Sequence, residues 1–140
     1  MEKYLYFNNA ASGDGQIDAA DDVVCYKASD FRGAVQNGTT RTEITLLFAP
    51  MFGELELASN AYPANVSDTV VLTITSDKHK EVLAAIIDAI NAPMIAGDGK
   101  GLIVIADDMN AKYLSVDPDS AGVAVAISGT VNVTQTPAAA

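Results

Sequence analysis

The stretch Asp68–Pro93, DTVVLTITSDKHKEVLAAIIDAINAP, contains the two strongest periodic signals in the chain, one directly after the other. Its first part, 68–75, is rich in β-branched residues that alternate along the chain, which predicts a strand. From Lys78 onward the apolar residues take the spacing of an amphipathic helix, which Pro93 ends. We therefore expect one main helix, at about residues 77–91, to pack across a sheet.

The apolar stripe of this helix predicts which side chains face the core. Their spacing is i, i+3, i+4, i+7, and the positions are Leu83, Ile86, Ile87 and Ile90, with Val82 widening the stripe. Ser76 stands where a helix N-cap is expected, and Asp77 follows it in the predicted first turn. The sequence therefore predicts a helix that is capped by its own side chains.

Much of the remaining chain alternates between short apolar segments and polar turns, which is typical of strands. Strands are predicted at 2–8, 22–28, 41–49, 52–58, 102–106, 113–116, 123–128 and 130–134. The run LIVIA at 102–106 predicts a central strand covered on both faces, and 113–116 is expected to form a hairpin with 123–128. Residues 29–37 are ambiguous between strand and irregular structure.

These elements predict a β-rich α+β fold: a small barrel or sandwich of short, mostly antiparallel strands with one main helix. A chain of 140 residues is the length of one domain, expected here at residues 1–135 with a C-terminal tail at 136–140. Its content of apolar residues, 49%, is enough to build a core without disulfides or metal. Cys25 is the single cysteine, so an intrachain disulfide is excluded.

The charge balance argues against several classes of function. With 18 acidic and 8 basic residues the net charge is −10, which disfavours nucleic acid as a partner because each phosphate contact requires a cation. His79 is the single histidine, which removes most zinc sites and most histidine-based catalytic triads. No apolar run approaches the roughly 20 residues of a membrane span, and the first residues lack the apolar stretch of a signal peptide. We expect no cofactor, no membrane association and synthesis in a cytoplasm.

One loop has a weak similarity to a calcium site. The segment Asp14-Gly15-Gln16-Ile17 matches the middle of an EF-hand loop, with Asp18 and Asp21 as further candidate ligands. The first ligand position of such a loop would fall on Ala10, which has no carboxylate. We therefore favour an ordinary turn here and keep Asp14, Asp18 and Asp21 only as weak calcium candidates.

Other acidic residues cluster where turns are predicted. Asp107 and Asp108 form one pair, and Asp117 and Asp119 form another. Paired carboxylates can bind a hard cation or act as acid and base, but aspartate is also a common turn residue. We favour the turn role for both pairs.

The N-terminal strand is large and apolar on both faces. Leu5 and Phe7 alternate with Tyr4 and Tyr6, so a single core cannot easily cover both sets. We therefore predict that this segment, Tyr4, Leu5, Tyr6 and Phe7, contributes to an interface with a second chain or an adjacent element. Short strands with unprotected edges favour the same kind of contact.

Three segments together resemble a known group of proteins. These are KYLYF at 3–7, the Val-Val and Thr-rich strands within 22–48, and VLTIT followed by AAIIDAINA within 70–92. In their order along the chain and in their residue patterns, they resemble the small virion-associated structural proteins of marine bacteriophages of the cyanophage type. One branch of that group is similar to Sm-like β-barrels that assemble into rings. Residues 97–140 add strands that a minimal Sm-like barrel lacks, and the acidity departs from RNA-binding Sm proteins.

The resemblance implies a non-enzymatic structural or assembly protein that works as a homo-oligomer. A head decoration (cement) protein is one such role, with the protein itself and a capsid or other virion protein as partners. It would then be located in a virion after synthesis in the host cytoplasm. A ring-forming Sm-like binding module is the alternative, and a small enzyme is a third hypothesis that the scarcity of His and Cys disfavours.

The charge argument yields a direct test. We expect no useful binding of RNA or DNA at physiological salt, because the net charge of −10 repels phosphates. A gel-shift titration checks this. Micromolar binding that weakens steeply with added salt would contradict it, since that slope counts the counterions that cations displace.

Overall fold

The computed structural model describes residues 2–10, 22–50, 67–93 and 101–134, which contain eight strands and one α-helix. The strands are β1 (Tyr4–Asn8), β2 (Val23–Lys27), β3 (Phe31–Gln36), β4 (Glu43–Phe48), β5 (Asp68–Ile74), β6 (Leu102–Asp107), β7 (Lys112–Tyr113) and β8 (Ile127–Thr134). The helix is α1 (His79–Asn91), and one turn of 3-10 helix (Ala28–Asp30) joins β2 to β3.

Some predicted features lie outside the described residues. They are the strand at 52–58, the calcium candidates Asp14, Asp18 and Asp21, and the tail at 136–140.

The strands form two four-stranded sheets, with the orders β2-β1-β6-β7 and β3-β4-β5-β8. Pairing is antiparallel throughout both sheets except between β1 and β6, which run parallel. The predicted β-rich α+β class with mostly antiparallel strands is confirmed. Of the two architectures left open by the sequence, the described strands form separate sheets and do not close into a barrel.

The core lies between the inner faces of the sheets and is closed by α1. Phe48 on β4 is fully buried at its centre. Its ring stacks on Tyr26 with centroids 4.4 Å apart and meets Phe7 edge-on at 5.9 Å, and both of these come from the opposite sheet. Phe31 adds a tilted contact at 5.5 Å. Aromatic contacts of this kind therefore join the two sheets directly.

A buried polar contact accompanies these rings. The Tyr26 hydroxyl donates to the Asp68 carboxylate at 2.9 Å, and Asp68 is fully buried at the start of β5. Burial and the neighbouring carboxylate raise the pKa of Tyr26, so the phenol remains protonated and can act as a donor. This hydrogen bond fixes β2 against β5 across the sheets.

Helix α1 packs through a face shifted by one residue from the predicted stripe. Val82 and Ile86 are fully buried and Ile90 packs against the core, but Leu83 is only half-buried and Ile87 is 41% exposed. The prediction of burial was therefore wrong for Ile87, while Leu83 and Ile90 are only partly buried. Successive helical residues point about 100° apart, so centring the contact on Val82 and Ile86 turns Ile87 towards solvent.

Tertiary contacts hold both ends of α1, and the N-cap predicted at Ser76 is not formed. Ser76 is not the N-cap; Lys78 occupies that position without a side-chain cap. Asp77 precedes it in the left-handed region (φ 65°), and its N–H donates to the Arg41 carbonyl at 3.0 Å. At the other end the buried Lys3 ammonium donates to the carbonyls of Ala89, at 2.9 Å, and Ala92. These C-terminal carbonyls have no partner within a helix, so a cation there is favourable.

Strand positions also differ from prediction after α1. The expected hairpin between 113–116 and 123–128 is absent: β7 pairs with β6, and β8 pairs with β5. The predicted strand at 130–134 lies within β8, which contains two register shifts along β5, whereas 123–126 of the predicted strand 123–128 form no strand.

The ambiguous segment 29–37 resolves into the 3-10 turn followed by β3. Gly33 has a φ of +132° at a register shift between β3 and β4. Other residues rarely adopt this conformation, so glycine permits an irregular edge strand here.

The position of α1 can be tested with two isoleucines on the same helix. Ile86→Ala removes a fully buried side chain and should lower the free energy of unfolding by about 2–5 kcal/mol. Ile87→Ala is the matched control and should change it by only about 0.5 kcal/mol, because its side chain is exposed. Chemical denaturation measures both. Equal losses for the two variants would contradict the docking described here.

Candidate functional site

Within the described residues, the outer face of the first sheet carries exposed apolar side chains from adjacent strands. Strand register places side chains from β2, β1 and β6 in two adjacent rows on this face. The first row is Lys27, Tyr4 and Leu102, and the second is Cys25, Tyr6 and Val104. We refer to these six residues as the outer face.

Large apolar groups on the outer face are open to solvent. Tyr4 is 39% exposed, Leu102 is 49% exposed and Val104 is 37% exposed, and they come from the adjacent strands β1 and β6. Isolated exposed apolar residues are common on proteins, but neighbouring ones that form a patch mark interaction surfaces. The prediction that 102–106 is covered on both faces was therefore wrong, because one face of β6 is open.

The structure divides the predicted N-terminal interface into two parts. Tyr4 and Tyr6 lie on the outer face, whereas Leu5 and Phe7 are fully buried in the core against the second sheet. Leu5 and Phe7 therefore pack inside the protein and are not available to another chain. The alternation of side chains along a strand explains the division.

Two outer-face groups have local partners or a shifted pKa. The Tyr6 hydroxyl accepts a hydrogen bond from Asn8 Nδ2 at 3.3 Å. Burial raises the pKa of the half-buried Cys25 thiol, which therefore stays protonated at neutral pH. A protonated thiol is a poor nucleophile, so we expect Cys25 to react only slowly with thiol reagents at neutral pH.

The acidic pair Asp107 and Asp108, at the end of β6, stabilises the fold. Asp107 accepts hydrogen bonds from the backbone and side chain of Asn110. Asp108 accepts from the Tyr113 hydroxyl at 3.0 Å and from the Thr130 N–H at 3.1 Å, which attaches β8 to the first sheet. Burial, followed by Asp108, raises the pKa of Tyr113 to about 12, so this phenol is a donor at neutral pH. The predicted turn role accounts for the contacts of Asp107, whereas Asp108 also makes a long-range contact with β8.

In the second acidic pair, Asp119 has a structural role, whereas Asp117 is exposed. Asp119 accepts from the N–H groups of Ala121 and Val123, and it forms an ion pair with Lys78 at 2.6 Å. The hydrogen bond from Lys78 is the main cause of the lowered pKa of Asp119. This contact connects the loop before β8 to the start of α1.

The carboxylates near the helix start do not form a metal site with His79. Asp77 pairs with Arg41, whose hydrogen bond lowers the pKa of that carboxyl. His79 Nε2 lies 2.8 Å from the Glu43 carbonyl, so this nitrogen carries the proton and donates. In the ranges that the structure describes, no three His, Cys, Asp or Glu side chains are grouped to hold a metal ion.

Sequence reasoning identified two of the six outer-face residues, Tyr4 and Tyr6, and missed the other four. Leu102 and Val104 belong to a continuous apolar run, in which alternation between a buried and an exposed side is not visible. Their pairing with Tyr4 and Tyr6 depends on the parallel contact between β1 and β6, which are far apart in the chain. The outer face is therefore a product of sheet topology.

Comparison with known proteins identifies no relative. No protein-family model, curated protein or solved structure matches the chain. Within the described ranges, no helix combines the length and the apolar character needed to cross a membrane.

Because of the Lys78–Asp119 contact, we expect part of the folding stability to be lost at acidic pH. A carboxyl whose pKa is lowered on folding stabilises the fold above its unfolded pKa, about 3.9, and this contribution is lost as the pH falls through the lower folded value. Asp119→Asn should therefore be less stable than wild type at neutral pH, and this difference should shrink below about pH 4. Unfolding midpoints across the pH range measure this.

Asp117→Asn is the matched control for Asp119→Asn, because Asp117 is exposed and lies two positions earlier in the same loop. We expect it to follow the wild-type pH dependence. A neutral-to-acid stability difference of the same size in both variants would show that the ion pair is not responsible.

Proposed function

We propose that this chain is a non-enzymatic structural protein that works as a homo-oligomer and associates through its outer face. The observation that carries the proposal is the row formed by Tyr4 and Leu102, with Val104 beside it, exposed on adjacent strands. Removing such side chains from water contributes about 25 cal/mol for each Å² of apolar surface. A second copy offers the same patch, so a two-fold axis can pair the two faces.

Charge also favours this face as the contact between copies. The protein carries a net charge of −10, so most approaches between two copies are repulsive. None of the six outer-face residues is acidic, and the charge of the nearby Glu2 carboxylate is partly balanced by Lys27 at one end of the first row. The outer face therefore allows close approach with little local repulsion. Added salt screens the remaining long-range repulsion and should strengthen association.

The setting of this assembly is suggested by the resemblance to cyanophage-type virion proteins. It supports a role as a virion component, such as a head decoration protein, with a capsid or other virion protein as a further partner. A small acidic β-rich protein that covers apolar surface by self-association fits such a role. Mass spectrometry of purified phage particles tests this setting separately, since a decoration protein must be present in many copies.

Sedimentation velocity tests self-association through two charge insertions. Leu102→Glu and Val104→Glu should each shift the protein towards monomer, because a carboxylate would face its symmetry mate in an apolar contact. Val131→Glu is the matched control: Val131 is 45% exposed on β8 of the other sheet. It should assemble as wild type does, and association of the wild type should increase with salt.

The single cysteine provides a second readout. Cys25 lies in the outer face, so its reaction with a thiol reagent should slow as the concentration of wild-type protein, and hence the assembled fraction, rises. A wild-type monomer at every salt concentration would overturn the proposal. Deletion of residues 1–8 is not a suitable test, because it removes the inner strand β1 and the core residues Leu5 and Phe7.

A further inference from the structure

The edge of the second sheet has the features of a binding site for an extended peptide. Strand β3 is the outermost strand in the order β3-β4-β5-β8, so it is paired with β4 on one side only among the described strands. Its Val35 side chain is 51% exposed. Open strand edges present unpaired N–H and C=O groups, which an added strand can satisfy.

A groove lies beside this edge, between β3 and the first turns of α1. It has a volume of about 270 Å³. Its lining is Ala34, Val35, Gln36, Ile44, His79, Lys80 and Leu83. Ligand pockets for small molecules start at about 300 Å³. The groove therefore matches one or two side chains better than a whole metabolite.

The charge in the lining of the groove is positive, although the protein as a whole is acidic. Lys80 is the charged residue in this lining, and no carboxylate belongs to it. Two nearby carboxylates are engaged elsewhere: Asp77 pairs with Arg41, and Glu43 accepts a 2.6 Å hydrogen bond from Asn37. Glu81 follows Lys80 in α1 but is not part of the groove lining. Lys80 is exposed and can therefore meet a carboxylate brought by a partner.

We propose that β3 and this groove bind an extended segment of a partner protein, which adds to the sheet as a further strand. Strand addition gives main-chain hydrogen bonds to β3, while pockets for alternate side chains give specificity. An added strand lies about 4.8 Å from β3 and points every second side chain to the side where α1 packs. The partner segment therefore carries an apolar residue for the groove and a carboxylate two positions away for Lys80.

The groove and the outer face are on different sheets, so this binding is distinct from self-association. A second copy of β3 is the weaker candidate for this edge. Its sequence, FRGAVQ, contains no carboxylate, so pairing β3 with itself would bring no anion to Lys80.

The probe is a peptide of the same length as β3, acetyl-Thr-Leu-Thr-Glu-Thr-Val-amide, added to full-length ¹⁵N-labelled protein. Its leucine and glutamate are two positions apart and therefore share one face of a strand. We expect chemical-shift changes concentrated in the amides of 33–36 and 79–83. Lys80→Glu should weaken binding about tenfold, since it replaces attraction by repulsion.

Two controls separate strand addition from general attraction. Lys112→Glu makes the same charge change on β7 of the other sheet and should alter the affinity by no more than about twofold. A peptide N-methylated at alternate amides keeps its side chains but loses strand hydrogen bonding, so it should not bind. Leu102→Glu, which disrupts the outer face, should leave peptide binding unchanged.

Three results would overturn this inference. They are the absence of shift changes at 33–36 up to the solubility limit of the peptide, equal weakening by Lys80→Glu and Lys112→Glu, and equal binding of the N-methylated peptide. If Leu102→Glu abolished self-association while peptide binding failed, the strand-addition proposal would fall and the proposed function would stand.

Discussion

The contact of Phe48 with Phe7 and Tyr26 is the interaction on which the remaining structure depends. It brings a ring from β4 into the inner face of the other sheet, at centroid distances of 5.9 Å and 4.4 Å. Once Phe7 points inwards, the alternation of a strand directs Tyr4 and Tyr6 outwards. The apolar outer face is thus a consequence of how the core is packed. A protein that must bury Leu5 and Phe7 cannot also hide the tyrosines within the same core.

The few cationic side chains of this acidic protein connect separate elements of the fold. Of eight basic residues, Lys3 binds the C-terminal carbonyls of α1, Arg41 binds Asp77, and Lys78 binds Asp119. Each of these contacts joins segments far apart in the chain, so the cations act as links between elements. Lys27 and Lys80 instead lie on the outer face and at the β3 groove. Their positions moderate the negative charge at the two surfaces where partners are proposed.

The two proposed surfaces use different physical means of association. The outer face offers apolar area, which is non-directional and suits a symmetric contact between identical copies. The β3 edge offers main-chain hydrogen-bonding groups, which are directional and suit an extended segment. Because they lie on different sheets, both surfaces can be occupied at once. A homo-oligomer that also captures strands from another protein is the kind of component that links itself to a larger assembly.

The sequence by itself determined the strand-to-helix change within 68–93, most strand positions and the β-rich class, because periodicity and turn residues act over short distances. It also identified Tyr4 and Tyr6 as candidate interface residues. It could not decide that Val82 and Ile86, and not Ile87, face the core, because the apolar stripe is wide enough for either docking. The pairing of β6 with β1, the open face of Leu102 and Val104, and the groove beside β3 were decided only by tertiary structure. The physical reason is that each depends on which distant strands are neighbours, and this is fixed by the packing of the whole core.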